Sequence, residues 1–319
     1  MLNIDKILFP TDFSDCAESA FSHAAYLADR YDAELHILHV EEEKGITLAD
    51  RLDDFCITPD EIAEQLHLPT AGKASAGSDE PVPIIEVEER AERAAPAILH
   101  YAETHGIDLI VMGTHGRRGI RRFMLGSVTE EVLRLAPCPV FTVRHREDRS
   151  VWAMKKILAP TDLSKNARQA TRHAAALAEA YGAELKLLHI IDAATLTTSS
   201  VSVIGAFDAS PANVMTGANE AVLRQAAELT EEFHLPSQID CFVTVGNPAS
   251  DILDFAQENE ADLIVVGSHG RSGLPRFVMG SVAEKVIRDA PCPVFTVKSF
   301  GRSLLHAMPE MAETEAVPS

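Results

Sequence analysis

The chain repeats itself once, and this repeat constrains the fold more than any other feature. Lys6 to Val40 reads KILFPTDFSDCAESAFSHAAYLADRYDAELHILHV, and Lys156 to Ile190 reads KILAPTDLSKNARQATRHAAALAEAYGAELKLLHI. About 20 of the roughly 35 positions are identical. Gly113 to Val143 and Gly267 to Val297 agree at about 21 of roughly 31 positions. The 319 residues are therefore two copies of one unit of about 145 residues. The copies are expected to span 1–146 and 152–299, with 300–319 as a frayed tail. Two long units exclude a solenoid, which stacks three or more short ones.

Within each copy, short apolar runs alternate with helical patterns. Lys6-Ile-Leu-Phe has the pattern of a strand stopped by Pro10. Ser14 is placed to cap a helix whose Ala20, Ala24, Leu27 and Ala28 share a face. Residues 34–40 form a second candidate strand, 95–105 a helix, 109–112 a strand, 128–135 a helix and 140–143 a last strand. This alternation predicts α/β domains of Rossmann-like type, with a parallel sheet covered on both faces. The copies diverge after the second strand. Leu68 to Pro83 is rich in Gly, Ser, Ala and Pro, and Ala193 to Asn219 is a Ser/Thr/Gly/Ala segment. Both are expected to be surface insertions.

Charge narrows the function classes. Lys and Arg number 28 against 48 Asp and Glu, a net charge of −20, which repels nucleic acid and anionic membranes. No basic region leads into an apolar stretch near Met1, so no secretory signal is expected. Cys16, Cys56, Cys138, Cys241 and Cys292 stand singly, without a CxxC pair, which suits a reducing cytoplasm. Cys138 and Cys292, in matching APCPV segments, are expected to be buried as small apolar residues. His39 and His189 hold matching strand positions and are expected to be structural.

The chemistry concentrates in one loop per copy. Gly113-Thr-His115-Gly116 is followed after nine residues by Gly126-Ser127, and Gly267-Ser-His269-Gly270 after nine by Gly280-Ser281. Each loop follows an apolar strand, ending Met112 or Val266, and runs into a helix. Glycines allow close approach of an anion, and the first-turn amides of Gly126, Ser127 and Val128, or Gly280, Ser281 and Val282, point at it. The competing reading is a glycine-rich turn with a serine cap. The spacer of copy one holds Arg117, Arg118, Arg121 and Arg122, a local positive field suited to a polyphosphate, whereas copy two keeps Arg271 and Arg276. His115 and His269 lie in the loops and could donate to an anion or be tied to backbone.

These residues, with the opening Pro-Thr-Asp strand and the closing Ala-Pro-Cys-Pro-Val segment, resemble a tandem universal stress protein of the ATP-binding subgroup. The resemblance covers both copies. It implies an adenine nucleotide alpha hydrolase-like fold, with a five-stranded parallel sheet flanked by helices in each domain. It implies that Asp12 and Asp162 lie at adenine and ribose, that Pro10, Thr11, Pro160 and Thr161 line the same pocket, and that Val40 and Ile190 contact adenine. ATP, AMP or ADP would be the ligand, with Mg²⁺ bridging the phosphates. The resemblance also implies pairing through the last strands, within the chain as a pseudo-dimer and between chains as a homodimer.

Two departures make the sites unequal. Copy two has Val245-Gly-Asn-Pro248, the family's Gly-x-Pro turn, whereas copy one reads ERAERAAP from Glu89 to Pro96, leaving the role of Arg93 open. No P-loop, GxSxG or HExxH motif occurs, and no carboxylate pair is placed as acid and base. The expectation is a cytoplasmic, nucleotide-dependent stress-response module with an unidentified protein partner and at most weak ATPase activity. The alternatives are an interaction scaffold with residual nucleotide sites and a slow ATPase.

Overall fold

The apolar runs become the inner strands of a sheet. A computed structural model describes residues 2–41, 82–114, 125–144, 154–194, 211–270 and 278–305. The first copy contains β1 (Lys6–Thr11), α1 (Asp15–Tyr31), β2 (Glu34–Glu41), β3 (Ile84–Arg90), α2 (Ala94–Thr104), β4 (Leu109–Gly113), α3 (Ser127–Leu135) and β5 (Val140–Val143). The second contains β6 (Lys156–Pro160), α4 (Lys165–Tyr181), β7 (Glu184–Asp192), α5 (Pro211–Glu232), β8 (Asp240–Gly246), α6 (Pro248–Glu258), β9 (Leu263–Gly267), α7 (Ser281–Asp289) and β10 (Val294–Val297). The described strands form one sheet, in the order β3-β2-β1-β4-β5-β10-β9-β6-β7-β8. Neighbours within a copy are parallel. β5 and β10 run antiparallel, with Phe141 opposite Phe295.

Several sequence expectations change in detail. β1 continues through Pro10 to Thr11, because its ladder with β4 covers only Ile7 and Leu8 and the amide that proline lacks lies beyond it. The outer strands β3 and β8 escape an apolar-run search because they are half exposed; Ile84 and Ile85 face solvent at the outer edge. Helix α5 begins inside the segment expected to be a loop, and its Val222 and Leu229, with Phe233 just beyond its end, are buried in the core. The tail is held as far as Leu305. Arg302 donates to the Gly106 carbonyl and, at 2.9 Å, to Asp108, Asn3 N–H donates to the Leu304 carbonyl, and Leu304 is buried. Residues 306–319 and the linker at 145–153 lie outside the described residues. Among the described residues, no helix is long and apolar enough to cross a membrane.

The seam between the copies is an aromatic core. Phe141 and Phe295 meet edge-on at 5.8 Å, His23 of α1 lies 5.3 Å from Phe141, and His173 of α4 lies 6.2 Å from Phe295. Tyr26 stands 4.8 Å from Tyr181 and donates to the Ala180 carbonyl across the seam. Burial lowers His23 to about 3 and His173 to about 4, so both are neutral. Among the described residues neither nitrogen of His23 has a hydrogen-bond partner, while Nδ1 of His173 meets the Gln169 carbonyl.

Candidate functional site

The glycine-rich loops emerge at the carboxyl ends of β4 and β9, beside the seam, where parallel α/β sheets gather their ligands. Each loop is clasped at its base. Thr114 N–H donates to Val143 O (2.9 Å) and Gly126 N–H to Thr114 O (2.9 Å). In copy two, Ser268 N–H donates to Val297 O (2.8 Å) and Gly280 N–H to Ser268 O (2.9 Å). These bonds bring the two ends of each spacer together, so the start of α3 or α7 stands against the end of its strand. Because glycine holds the N-cap position of both helices, neither has a side-chain cap, and the first-turn amides suit an external acceptor. Thr129 adds a bond to the Gly113 carbonyl at 3.0 Å, which Ala283 in copy two cannot make.

The motif glycines have different reasons to be glycine. A Cβ on Gly113 would lie 2.9 Å from the backbone of Cys16, so close packing of β4 on α1 explains it. Gly267 is nearly as tight, with carbonyl oxygens of His269 and Asn166 at 3.3 and 3.4 Å. At Gly270 a Cβ would meet the Asp162 carboxylate at 2.7 Å. Gly280 is otherwise. Its backbone is ordinary for any residue (φ −63°, ψ 140°), and a Cβ there would find only van der Waals distances, 3.5 Å to Ser268 O and 3.8 Å to Gly270 N. Nothing among the described residues requires glycine here, yet the Cβ would fill the cradle between the loop backbone and the helix start.

Beside each loop stands the turn after the first strand. Thr11 Oγ1 accepts from Phe13 N–H and Asp12 Oδ1 from Ser14 N–H, at 3.0 and 3.1 Å. Thr161 and Asp162 do the same for Leu163 and Ser164, at 3.1 and 3.0 Å. Phe13 and Leu163 take left-handed backbone (φ 58° and 64°), which lets Ser14 and Ser164 cap α1 and α4. Both aspartates therefore serve their turns, and Asp162 in addition lies against Gly270 of the loop. His39 and His189 donate from Nδ1 to the carbonyls of Thr11 and Thr161, at 2.9 and 2.7 Å; the carbonyl can only accept, which fixes the tautomer. The expected structural role of these histidines holds.

The remaining expected site residues sort by position. Pro10 and Pro160 lie at the ends of β1 and β6, and Val40 and Ile190 near the ends of β2 and β7. Met112 and Val266 are buried inside the sheet, so only their backbone borders the loop. Ser127, Val128, Ser281 and Val282 form the first turns of α3 and α7. His269 is buried, with Nδ1 2.9 Å from the Ser268 hydroxyl and 2.8 Å from the Ser299 hydroxyl, so that nitrogen meets two side chains where a tie to backbone was the alternative expected. His115, Gly116, Arg117 and Arg271, with the other spacer arginines, lie outside the described residues. Arg93 pairs with Glu131, on the second turn of α3. Sequence reasoning missed Gln225, which accepts from Thr161 Oγ1 (3.2 Å) and donates to Thr171 Oγ1 (2.7 Å); it lies on the helix that was expected to begin as a loop. Cys138 and Cys292 are buried, and burial pushes the Cys138 thiol up to about 12.

A model of the universal stress protein family matches residues 3–144 and again 154–298. Universal stress protein MJ0531 of Methanocaldococcus jannaschii is 35% identical over 144 residues, covering 45% of this chain and 82% of that protein. Universal stress protein YxiE of Bacillus subtilis is 35% identical over 154 residues, covering 44% and 99%. Among solved structures, protein PA1789 of Pseudomonas aeruginosa superposes with a TM-score of 0.65 at 20% identity, covering 92% of both chains. A universal stress protein from Archaeoglobus fulgidus gives 0.58 at 22%, covering 92% of this chain and 98% of that one. These two share the fold across both copies. The chain belongs to the universal stress protein family and carries two of its domains in tandem.

Proposed function

We propose that this protein is an ATP-binding universal stress protein of the cytoplasm, a nucleotide-gated module whose loops present a different surface to a protein partner when filled. The observation that carries the reading is Gly280, a glycine required neither by its backbone angles nor by any neighbour among the described residues, set where a Cβ would fill the cradle beside the helix start. The same spacing recurs at Gly126. The phosphates would lie on Gly126, Ser127 and Val128 in one domain and on Gly280, Ser281 and Val282 in the other. Asp12 and Asp162 would accept from the ribose, and Val40 and Ile190 would border the adenine. AMP or ADP fits the same contacts with fewer phosphate bonds. Mg²⁺ would be held mainly by phosphate oxygens, since no cluster of three or more His, Cys, Asp and Glu able to bind a metal occurs among the described residues. Residues 1–146 and 152–299 are the folding units of this proposal, and two chains would associate as a homodimer.

A second reading, a scaffold with a residual site, has one observation in its favour. In copy one Arg93 is tied to Glu131 where copy two has its Gly-Asn-Pro turn. Thermal denaturation tests the proposal. ATP with Mg²⁺ should raise the melting temperature of the native chain, and the rise should shrink in Gly280→Val, whose own melting point stays near the native value. No rise with any adenine nucleotide would favour the scaffold.

A further inference from the structure

Each copy ends its last strand with a cation that leaves its own copy. Arg144 follows β5 and donates to the Ala290 and Arg288 carbonyls at the end of α7 in the other copy, at 2.9 and 3.1 Å. Lys298 follows β10 and donates from its buried Nζ to the Leu133 carbonyl in the last turn of α3. The two residues hold equivalent positions in the repeat, so the caps are crossed and reciprocal. Placing a cation on the exposed carbonyls of a helix C-terminus is favourable, and it fixes that end of the helix.

The helices so held are the ones that open on the glycine-rich loops, and the bonds close into a ring. Gly126 N–H reaches Thr114 O, and Thr114 N–H reaches Val143 O, next to Arg144. Arg144 grips the far end of α7. At the near end of α7, Gly280 N–H reaches Ser268 O, and Ser268 N–H reaches Val297 O, next to Lys298. Lys298 grips the far end of α3, whose near end is Gly126. A helix of this length is about two and a half turns and moves as a rod. An anion that draws one helix start inward therefore pulls, through the crossed cap, on the strand end that clasps the other loop.

We propose that the two loops are coupled through the crossed caps Arg144 and Lys298, so that filling one tightens the other. The proposal rests on the reading of the loops as nucleotide sites. A first ligand fixes one helix start and, through the ring of bonds, the clasp of the other loop, so the second ligand meets a helix start already held. Arg144 and Lys298 are positioning residues that touch no ligand.

The test is calorimetric titration of the full chain with ATP and Mg²⁺, comparing the affinity of loop one when loop two is open and when Gly280→Val blocks it. Blocking loop two should weaken loop one about tenfold in the native seam. In Arg144→Gln, or in Arg144→Gln with Lys298→Met, the same comparison should give a ratio near one, and Arg144→Lys should restore part of the difference. Arg144→Gln breaks one link while leaving the buried Lys298 in place, so it serves if the double variant does not fold. Two loops that bind with a ratio near one in the native seam would overturn the coupling alone. Binding at neither loop would overturn the nucleotide reading and the coupling with it.

Discussion

The two copies enter the helix after their outer strand in different ways. In copy two, Asn247 accepts from Ala249 and Ser250 N–H at 3.2 Å, Pro248 opens α6, and the Asp251 carboxylate folds so closely over Gly246 that a Cβ there would lie 1.8 Å from it. In copy one, Arg93 holds the cap position without a side-chain cap and reaches Glu131 of α3 instead. The outer cores diverge as well. His36 meets the Tyr101 hydroxyl at 2.8 Å, and Tyr101 stacks on His105, where copy two has Phe242 against Phe255 and Lys186 paired with Asp240. The loop clasps match bond for bond, and the strands and phenylalanines of the seam mirror each other, although the Tyr26–Ala180 bond has no counterpart at Ala176. Difference is concentrated at the rim, and sameness where the halves meet.

The seam offers the largest test of that contrast. Phe141→Ala and Phe295→Ala should each lower stability by about 3–5 kcal/mol, and by nearly equal amounts. Chemical denaturation would measure both, and very unequal losses would show that the seam is not symmetric. Acid comes next. His23 and His173 are lowered in the folded state to about 3 and about 4, so below the ordinary histidine value of 6.5 the unfolded chain binds protons that the folded chain refuses. Stability should therefore fall as pH falls from 6.5 towards 4, by about 2 kcal/mol per histidine at pH 5. Replacing either one, as in His23→Leu, should remove that histidine's share, about 2 kcal/mol, from the fall between pH 6.5 and 5, leaving the shares of the other and of His36, which burial also lowers. An unchanged slope would assign the acid sensitivity elsewhere.

The rim gives smaller effects of opposite sign. Asn247→Ala removes a cap and should cost about 1 kcal/mol. Arg93→Asn supplies the missing cap in copy one and should recover a similar amount, because the exposed Arg93–Glu131 pair that it gives up contributes about 0–1 kcal/mol. Equal losses from both changes would mean that Arg93 is worth more to its helix start than an ordinary cap.

Much of this was legible in the chain itself. Four strands per copy show as apolar runs because they lie inside the sheet, where both faces are buried. β3, reading IIEVEER, did not, since an edge strand alternates and carries charge. The paired glycine loops were visible by their identical spacing, and His39 and His189 by their matched places. The crossed caps were not, because a lone Arg144 or Lys298 after a strand says nothing until the antiparallel seam brings it to the other copy. Nor could spacing tell that Gly113 answers to Cys16 whereas Gly280 answers to nothing among the described residues.

The central claim is that both loops hold adenine nucleotide. The most direct measurement is the calorimetric stoichiometry of nucleotide-stripped protein with ATP and Mg²⁺, run beside Gly126→Val and Gly280→Val. The account predicts two nucleotides per native chain and one in each variant, with the variants folded as judged by circular dichroism. Folded protein that takes up no nucleotide, or variants that bind as the native chain does, would contradict it.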